Sequence, residues 1–205
     1  MITKLTLGSY ATNTYIYYDE PSRHAVIIDP AAKAERILAK VEELALEVKA
    51  ILLTHGHFDH TGASNEVREA LDVPVYASKH DAELAADPDR SAASLIASRN
   101  VPVVDKFLQE GEMSFGDITM QILATPGHTA GSLCFYIPHE GVLFSGDTLF
   151  EESYGRYDLP SGDLPTLIGS LNRLLALPAE TKVYPGHEGA TTIGHERTHN
   201  PIKRP

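Results

Sequence analysis

Apolar and polar residues alternate over residues 2–7, 14–18 and 25–29, the period-two pattern of strands with one face buried. Asp29-Pro30 closes the third stretch, and a proline suits a first helical turn, so a helix is predicted to open there. Across 31–46 the period changes: Ile37, Leu38, Val41, Leu44 and Ala45 recur every three or four positions, as on an amphipathic helix. Residues 48–53 form an apolar run too short for a helix and read as a buried strand. A helix over 62–71 and a strand over 73–77 follow. Residues 81–111 are the least regular, broken by Asp87-Pro88-Asp89, and read either as a lid or as a surface excursion. Strands return at 118–124, 132–137 and 142–145, followed by a helix at 164–175 and a strand at 182–184. Two strand-rich halves with interspersed helices predict an α/β fold of packed sheets with helices outside, not one doubly wound sheet.

The chain has 205 residues, enough to bury a full core as one domain spanning 1–205. Lys plus Arg number 17 against 28 Asp plus Glu, and the net charge of −11 argues against a nucleic-acid partner. No apolar run approaches the length of a membrane span, no secretory leader is evident at the start, and no basic cluster marks a membrane-surface patch. Cys134 is the only cysteine, which excludes an internal disulfide and fits a reducing compartment, so a cytoplasmic location is expected. The oligomeric state is left open.

Chemistry collects at the predicted strand ends. The strand over 48–53 runs into Thr54-His55-Gly56-His57-Phe58-Asp59-His60. Alternate residues of an extended chain point the same way, so His55 and His57 can share an ion. Asp59 and His60, redirected by the following helix, can hold a second. Three further apolar strands end in Thr125-Pro126-Gly127-His128, Ser145-Gly146-Asp147 and Tyr184-Pro185-Gly186-His187. Together these place five His and two Asp where they could share one rim. Such a set suits two first-row ions: three His for one, two His and an Asp for the other, and a shared carboxylate. Without thiolate ligands a closed structural zinc site is not expected, and mixed imidazole–carboxylate sites with room for water are usually catalytic.

The run from His55 to His60, with His128, Asp147 and His187, resembles the metallo-β-lactamase superfamily over almost the whole chain. The resemblance implies an αββα sandwich with its metal site at one edge of the two sheets. It implies His55, His57 and His128 as ligands of the first ion, Asp59, His60 and His187 as ligands of the second, and Asp147 as the bridge. Asp59 and Asp147 would be the catalytic carboxylates. A flavodiiron relative would carry Glu in place of His57, and antibiotic-hydrolysing relatives often carry Cys near Asp147. Residues 125–129, 146–150, 155–163 and 184–188, with Glu196-Arg197 and Asn200-Pro201, are most similar to short, single-domain glyoxalase II-like hydrolases. Only 18 residues follow His187, so the C-terminal helical glutathione-binding domain of two-domain relatives is not expected.

The implied reaction is thioester hydrolysis, with S-D-lactoylglutathione as the type substrate. Two divalent ions, zinc foremost and iron or manganese as alternatives, would lower the pKa of a bridging water to give a nucleophilic hydroxide. The thiol leaves as thiolate, so no strong general acid is needed. A second resemblance, to persulfide (sulfur) dioxygenases with a single iron, offers the competing reading. Arg156 and Tyr154, beyond Asp147, are candidate substrate contacts, with an ion pair to Asp158 or Asp163 as the alternative for Arg156. Cys134 reads as a small core residue. His24, His80, His139, His195 and His199 read as surface groups, Asn13 as a turn residue, and Glu196 and Arg197 as packing or ion-pairing groups.

Overall fold

Strands β1 (Ile2–Leu7), β2 (Thr12–Tyr18), β3 (His24–Ile28), β4 (Glu47–Leu52), β5 (Val75–Ser78) and β6 (Lys106–Leu108) pair in that order into one sheet of the computed structural model, which describes residues 1–96 and 100–203. The first three are antiparallel and the last four parallel. Parallel neighbours need a crossover, supplied between β3 and β4 by helix α1 (Ala34–Glu43). Between β4 and β5 it is supplied by α2 (Phe58–Thr61) and α3 (Ser64–Leu71), and α4 (Lys79–Ala85) follows β5.

The second sheet is built from β7 (Gly111–Phe115), β8 (Ile118–Ala124), β9 (Leu133–Ile137) and β10 (Val142–Gly146). A ribbon of β11 (Leu149–Phe150) and β12 (Ser153–Tyr154) comes next, then α5 (Leu164–Leu174), β13 (Lys182–Pro185), β14 (Thr191–Thr192) and α6 (Ile193–His199). The sheet order is β14-β13-β10-β9-β8-β7.

Three apolar layers follow from the side-chain alternation. Tyr15, Val26, Ile28 and Leu52 of the first sheet meet Met120, Ile122, Phe135 and Phe144 of the second in the central layer. Ile27, Ile51 and Val75 pack outward against Ile37, Val41 and Val67 of α1 and α3. Cys134, Leu143 and Val183 pack outward against Leu167, Leu171 and Leu174 of α5. The expected helix–sheet–sheet–helix sandwich is therefore what the chain builds.

Several local expectations are corrected. The first helix opens at Ala34, not Pro30, because Asp29 and Lys33 sit at φ 49° and 55°. The intervening groups are committed elsewhere: the Thr14 hydroxyl donates to the Asp29 carbonyl and accepts from the Ala31 N–H. The helix predicted over 62–71 is α3, which opens two residues later at Ser64 with the Ala63 N–H drawn to the Pro30 carbonyl at 2.9 Å, and the short α2 before it was not predicted. Asn13 is no turn residue but a buried residue of β2. His24 is not a plain surface group, since it is partly buried and lies 2.9 Å from Asp117 and 3.4 Å from Glu47. The irregular stretch carries α4, a 3₁₀ turn at Ala93–Ile96 and β6, while residues 97–99 of it lie outside the described residues. The tail carries α6, with His195 and His199 stacked on its outer side.

Candidate metal centre

Four strands, β4, β8, β10 and β13, end at the same edge of the sandwich. The donor atoms of His55, His57 and His128 lie within 4.8 Å of one another, as do those of Asp59, His60 and His187. Asp147 lies between the sets: Oδ1 is 3.3 Å from His60 Nε2, and Oδ2 is 3.4 Å from His187 Nε2 and 3.7 Å from His128 Nε2. Asp59 Oδ2 is 3.6 Å from His60 Nε2 and 3.4 Å from His187 Nε2. All seven sequence-predicted donors thus come together.

The outer atoms of the rings decide which nitrogen faces inward. The Thr54 hydroxyl donates to Asp29 Oδ2 at 2.6 Å, so at 3.0 Å it accepts from His55 Nδ1–H, leaving His55 Nε2 with a lone pair. His60 Nδ1 donates to the same Asp29 oxygen at 2.9 Å. His128 Nδ1 donates to the Arg156 carbonyl at 2.7 Å, and His187 Nδ1 to the Tyr10 carbonyl at 3.1 Å. Each of these rings presents Nε2 inward. His57 Nδ1 lies 3.0 Å from His128 Nε2.

Among the described residues, His55 Nε2, His57 Nε2 and Asp147 Oδ1 are buried without a hydrogen-bond partner. Buried polar atoms without partners are costly and rare. Here two belong to His55 and His57 of the first donor set and the third to Asp147 between the sets, beside nitrogens already turned inward by their outer partners. Oxygen and imidazole donors so arranged fit two divalent cations.

The charge pattern splits the sets. Burial, and then the neighbouring imidazoles, hold His55 well below the ordinary histidine range and His57 down to about 3. For His187, burial lowers the pKa, but Asp147 and Asp59 outweigh it and carry it to about 9. Burial likewise opposes the charge on His60, and Asp147, Asp59 and Asp29 overcome it. Burial raises Asp59 and Asp147, yet His60 and His187 bring Asp59 to about 2 and Asp147 well below the usual carboxylate range. His55 and His57 are therefore ready as neutral imidazole, and the second set is a balanced cluster of imidazolium and carboxylate.

A cavity of about 160 Å³ opens over both sets. Beyond the donors it is lined by Tyr10, Phe58, Ala92, Leu95, Arg156 and Leu159. Tyr10 and Phe58 meet edge to face at 5.2 Å. Ala92 and Leu95 bring the irregular stretch to the mouth, where the Phe58 N–H holds it through the Ser91 carbonyl. Arg156 lines the cavity and forms a bidentate pair with Asp158 at 2.8 Å, one of the two ion pairs considered for it. Tyr154 packs against the third apolar layer and is not among the lining residues. Cys134 is buried within β9, with its thiol pushed up to about 11 by burial.

Two contributors were missed in the sequence. Asp29 orients His60 directly and His55 through Thr54, and a carboxylate at a strand end was the available signal. Asn13 donates to the carbonyls of Pro185 at 3.0 Å and Glu188 at 3.1 Å, bracketing His187. Nothing near Asn13 in the chain marks that role.

Fold and centre together describe a metal-dependent hydrolase of sandwich type. The model of the metallo-β-lactamase superfamily matches residues 7–187, and this chain belongs to that superfamily as a metallo-hydrolase. It is 36% identical over 206 residues to the hydroxyacylglutathione hydrolase GloC of Haemophilus influenzae, covering 97% of this chain and 95% of the relative. Among solved structures it is similar to the BLEG-1 B3 metallo-β-lactamase, with TM-score 0.94, 39% identity and all of both chains covered. It is also similar to TTHA1623 in a di-iron-bound form, with TM-score 0.89, 43% identity and coverage of 98% and 99%. Among the described residues no helix is long and apolar enough to cross a membrane.

Proposed function

We propose that this chain hydrolyses small-molecule thioesters, S-D-lactoylglutathione first among them, with two divalent ions, zinc foremost, at the centre described above. The observation that carries the reading is the convergence of seven donors, three of whose atoms are buried without partners, beneath a cavity lined by no Ser, Cys or Lys among the described residues. His55, His57 and His128 would hold one ion and Asp59, His60 and His187 the other, with Asp147 shared. When bound, such ions supply a water acidic enough to ionise near neutral pH and Lewis-acid polarisation of a carbonyl.

The protein's own groups do the rest. Asp29, Thr54 and the carbonyls of Arg156 and Tyr10 keep the imidazoles in one tautomer. Tyr10, Phe58, Leu95 and Leu159 give the acyl group an apolar wall and keep bulk water from it. Arg156 stands where it can take a substrate carboxylate in competition with Asp158. Among the described residues, apart from the metal donors, no carboxyl or imidazole lines the cavity to protonate a leaving group. That favours a thiolate, whose conjugate acid has a pKa of about 8.5, over a more basic amine. The name of the Haemophilus relative supports the same substrate class. The second donor set is complete, so a second ion has ligands, whereas a persulfide dioxygenase holds a single iron and the metal count separates the two. The lone cysteine supports a cytoplasmic setting.

The test is steady-state hydrolysis of S-D-lactoylglutathione by protein of measured metal content. The expected result is two ions per chain and a kcat/KM at or above about 10⁴ M⁻¹s⁻¹, the low end for enzymes on their own substrates. Turnover of a β-lactam without turnover of thioesters would overturn the substrate class. One iron per chain with oxygen-dependent consumption of glutathione persulfide would overturn the hydrolase.

A further inference from the structure

Asp81 is a carboxylate only 1% exposed, on the first turn of α4, and no ion pair reaches it among the described residues. Burying an unpaired carboxylate is expensive unless donors surround it. Three donors do. Oδ2 accepts the Gly56 N–H at 2.9 Å and the Thr129 hydroxyl at 2.7 Å, and Oδ1 accepts the Gly131 N–H at 3.0 Å. Gly56 is the residue between His55 and His57, and Thr129 follows His128 directly. One side chain therefore grips both loops that carry the first donor set.

The glycines give a second, independent sign. A Cβ on Gly56 would lie 2.4 Å from the Asp81 carbonyl oxygen. A Cβ on Gly131 would lie 2.1 Å from Ser78 Oγ and 2.6 Å from Asp81 Oδ1. Both loops are thus shaped to let the start of α4 press against them. All three groups facing the carboxylate are donors, which explains Asp over Asn, whose amide would set a donor against a donor.

We propose that Asp81 is a positioning residue for the first metal, holding His55, His57 and His128 in register across the two sheets while leaving Asp59, His60 and His187 largely alone. This rests on the reading of the first three histidines as ligands of one ion. Asp81 touches neither ion nor substrate.

Zinc affinity, measured by competition with a chromophoric chelator, tests it without any substrate. The first set is isolated in a His187→Ala background and the second in a His128→Ala background. Asp81→Asn is expected to weaken the first set by about 10–100-fold, the usual loss when an outer-sphere partner of a metal ligand is removed. The second set should change by less than about threefold, far below that outer-sphere loss. Thr129→Val should weaken the first set in the same direction, and Thr129→Ser, which keeps the hydroxyl, should restore it. That pair decides the matter should Asp81→Asn not fold. Wild-type affinity at the first set in Asp81→Asn, or in Thr129→Val where only that pair folds, would overturn the proposal, as would equal weakening of both sets. A wild-type chain that takes up no zinc would sink the metal-centre reading instead. The affinity split stands whether or not thioesters prove to be the substrate.

Discussion

Replacing Asn13 separates its packing from its hydrogen bonding. The side chain is 1% exposed, donates to the carbonyls of Pro185 and Glu188, and accepts from the Thr6 hydroxyl at 3.0 Å. In Asn13→Ala the Pro185 carbonyl keeps the Tyr15 phenol at 2.7 Å, while Glu188 and Thr6 are exposed enough for water to replace the lost partner. Two donor bonds near the ordinary net value then amount to about 1–2 kcal/mol. For a chain of this size that is a Tm lower by about 2–8 °C. Asn13→Asp keeps the shape but turns an acceptor toward two carbonyl oxygens. Its cost at pH 7 should approach that of a buried charge left unpaired, about 3–5 kcal/mol. The sign with pH follows. Burial raises the new carboxyl's folded pKa above its unfolded value of about 3.9, so the penalty is full above the folded value and fades as pH falls toward the unfolded one. Chemical denaturation of the metal-free variants at pH 7 and pH 5 measures both effects. An Asn13→Asp chain as stable as Asn13→Ala at pH 7 would refute the claim that the amide hydrogens are what the His187 loop requires.

Gly186→Ala would place a Cβ 2.2 Å from Asp147 Oδ1 and 2.6 Å from His60 Cε1, so reloaded protein should retain fewer than two zinc ions per chain by elemental analysis; two retained ions would contradict the packing. Cys134, at about 11, leaves about one thiolate in a thousand at pH 8, so iodoacetamide should label it only after denaturation. Zinc uptake should depend on pH unequally. With His187 at about 9 and His60 above its ordinary range, the second ion must displace protons between pH 6 and 8, each worth about tenfold in affinity per pH unit. His55, held well below its ordinary range, and His57, near 3, release no proton there, so the first ion's slope should be shallower. Identical slopes for both ions, read by chelator competition at several pH values, would refute the assignment of charge.

The metal donors were legible because each is local: a short apolar strand, a turn residue, then His or Asp. In the second sheet β8, β10 and β13 run in the same direction, so their C-terminal ends fall at one edge. The layering was legible for a related reason, since period-two stretches can bury a face only against another sheet or a helix. What escaped was whatever depends on partners far along the chain. Asn13 answers to Pro185, and Asp29 to Thr54 and His60, so neither looks distinctive among its own neighbours. The helix after Pro30 starts late because Thr14, on another strand, captures the Ala31 N–H. Tyr154 was misjudged for want of side-chain direction: β12 turns it toward the third apolar layer rather than the cavity. The tail helix was hidden by its polar residues, although Glu196 within it is fully buried and bonded to Thr191, Glu152 and Asn200.

The donors are divided between two sheets, with His55 and His57 leaving one and His128, Asp147 and His187 leaving the other. Filled with metal, the edge becomes a cross-link between halves otherwise joined there by packing and a few hydrogen bonds. Ion binding and global unfolding are then thermodynamically linked. Free metal at about a thousand times its dissociation constant adds roughly 4 kcal/mol per ion to the folded state. The cohesion of the sandwich is thus partly borrowed from the metal pool around it, and metal starvation would weaken the fold as well as the chemistry.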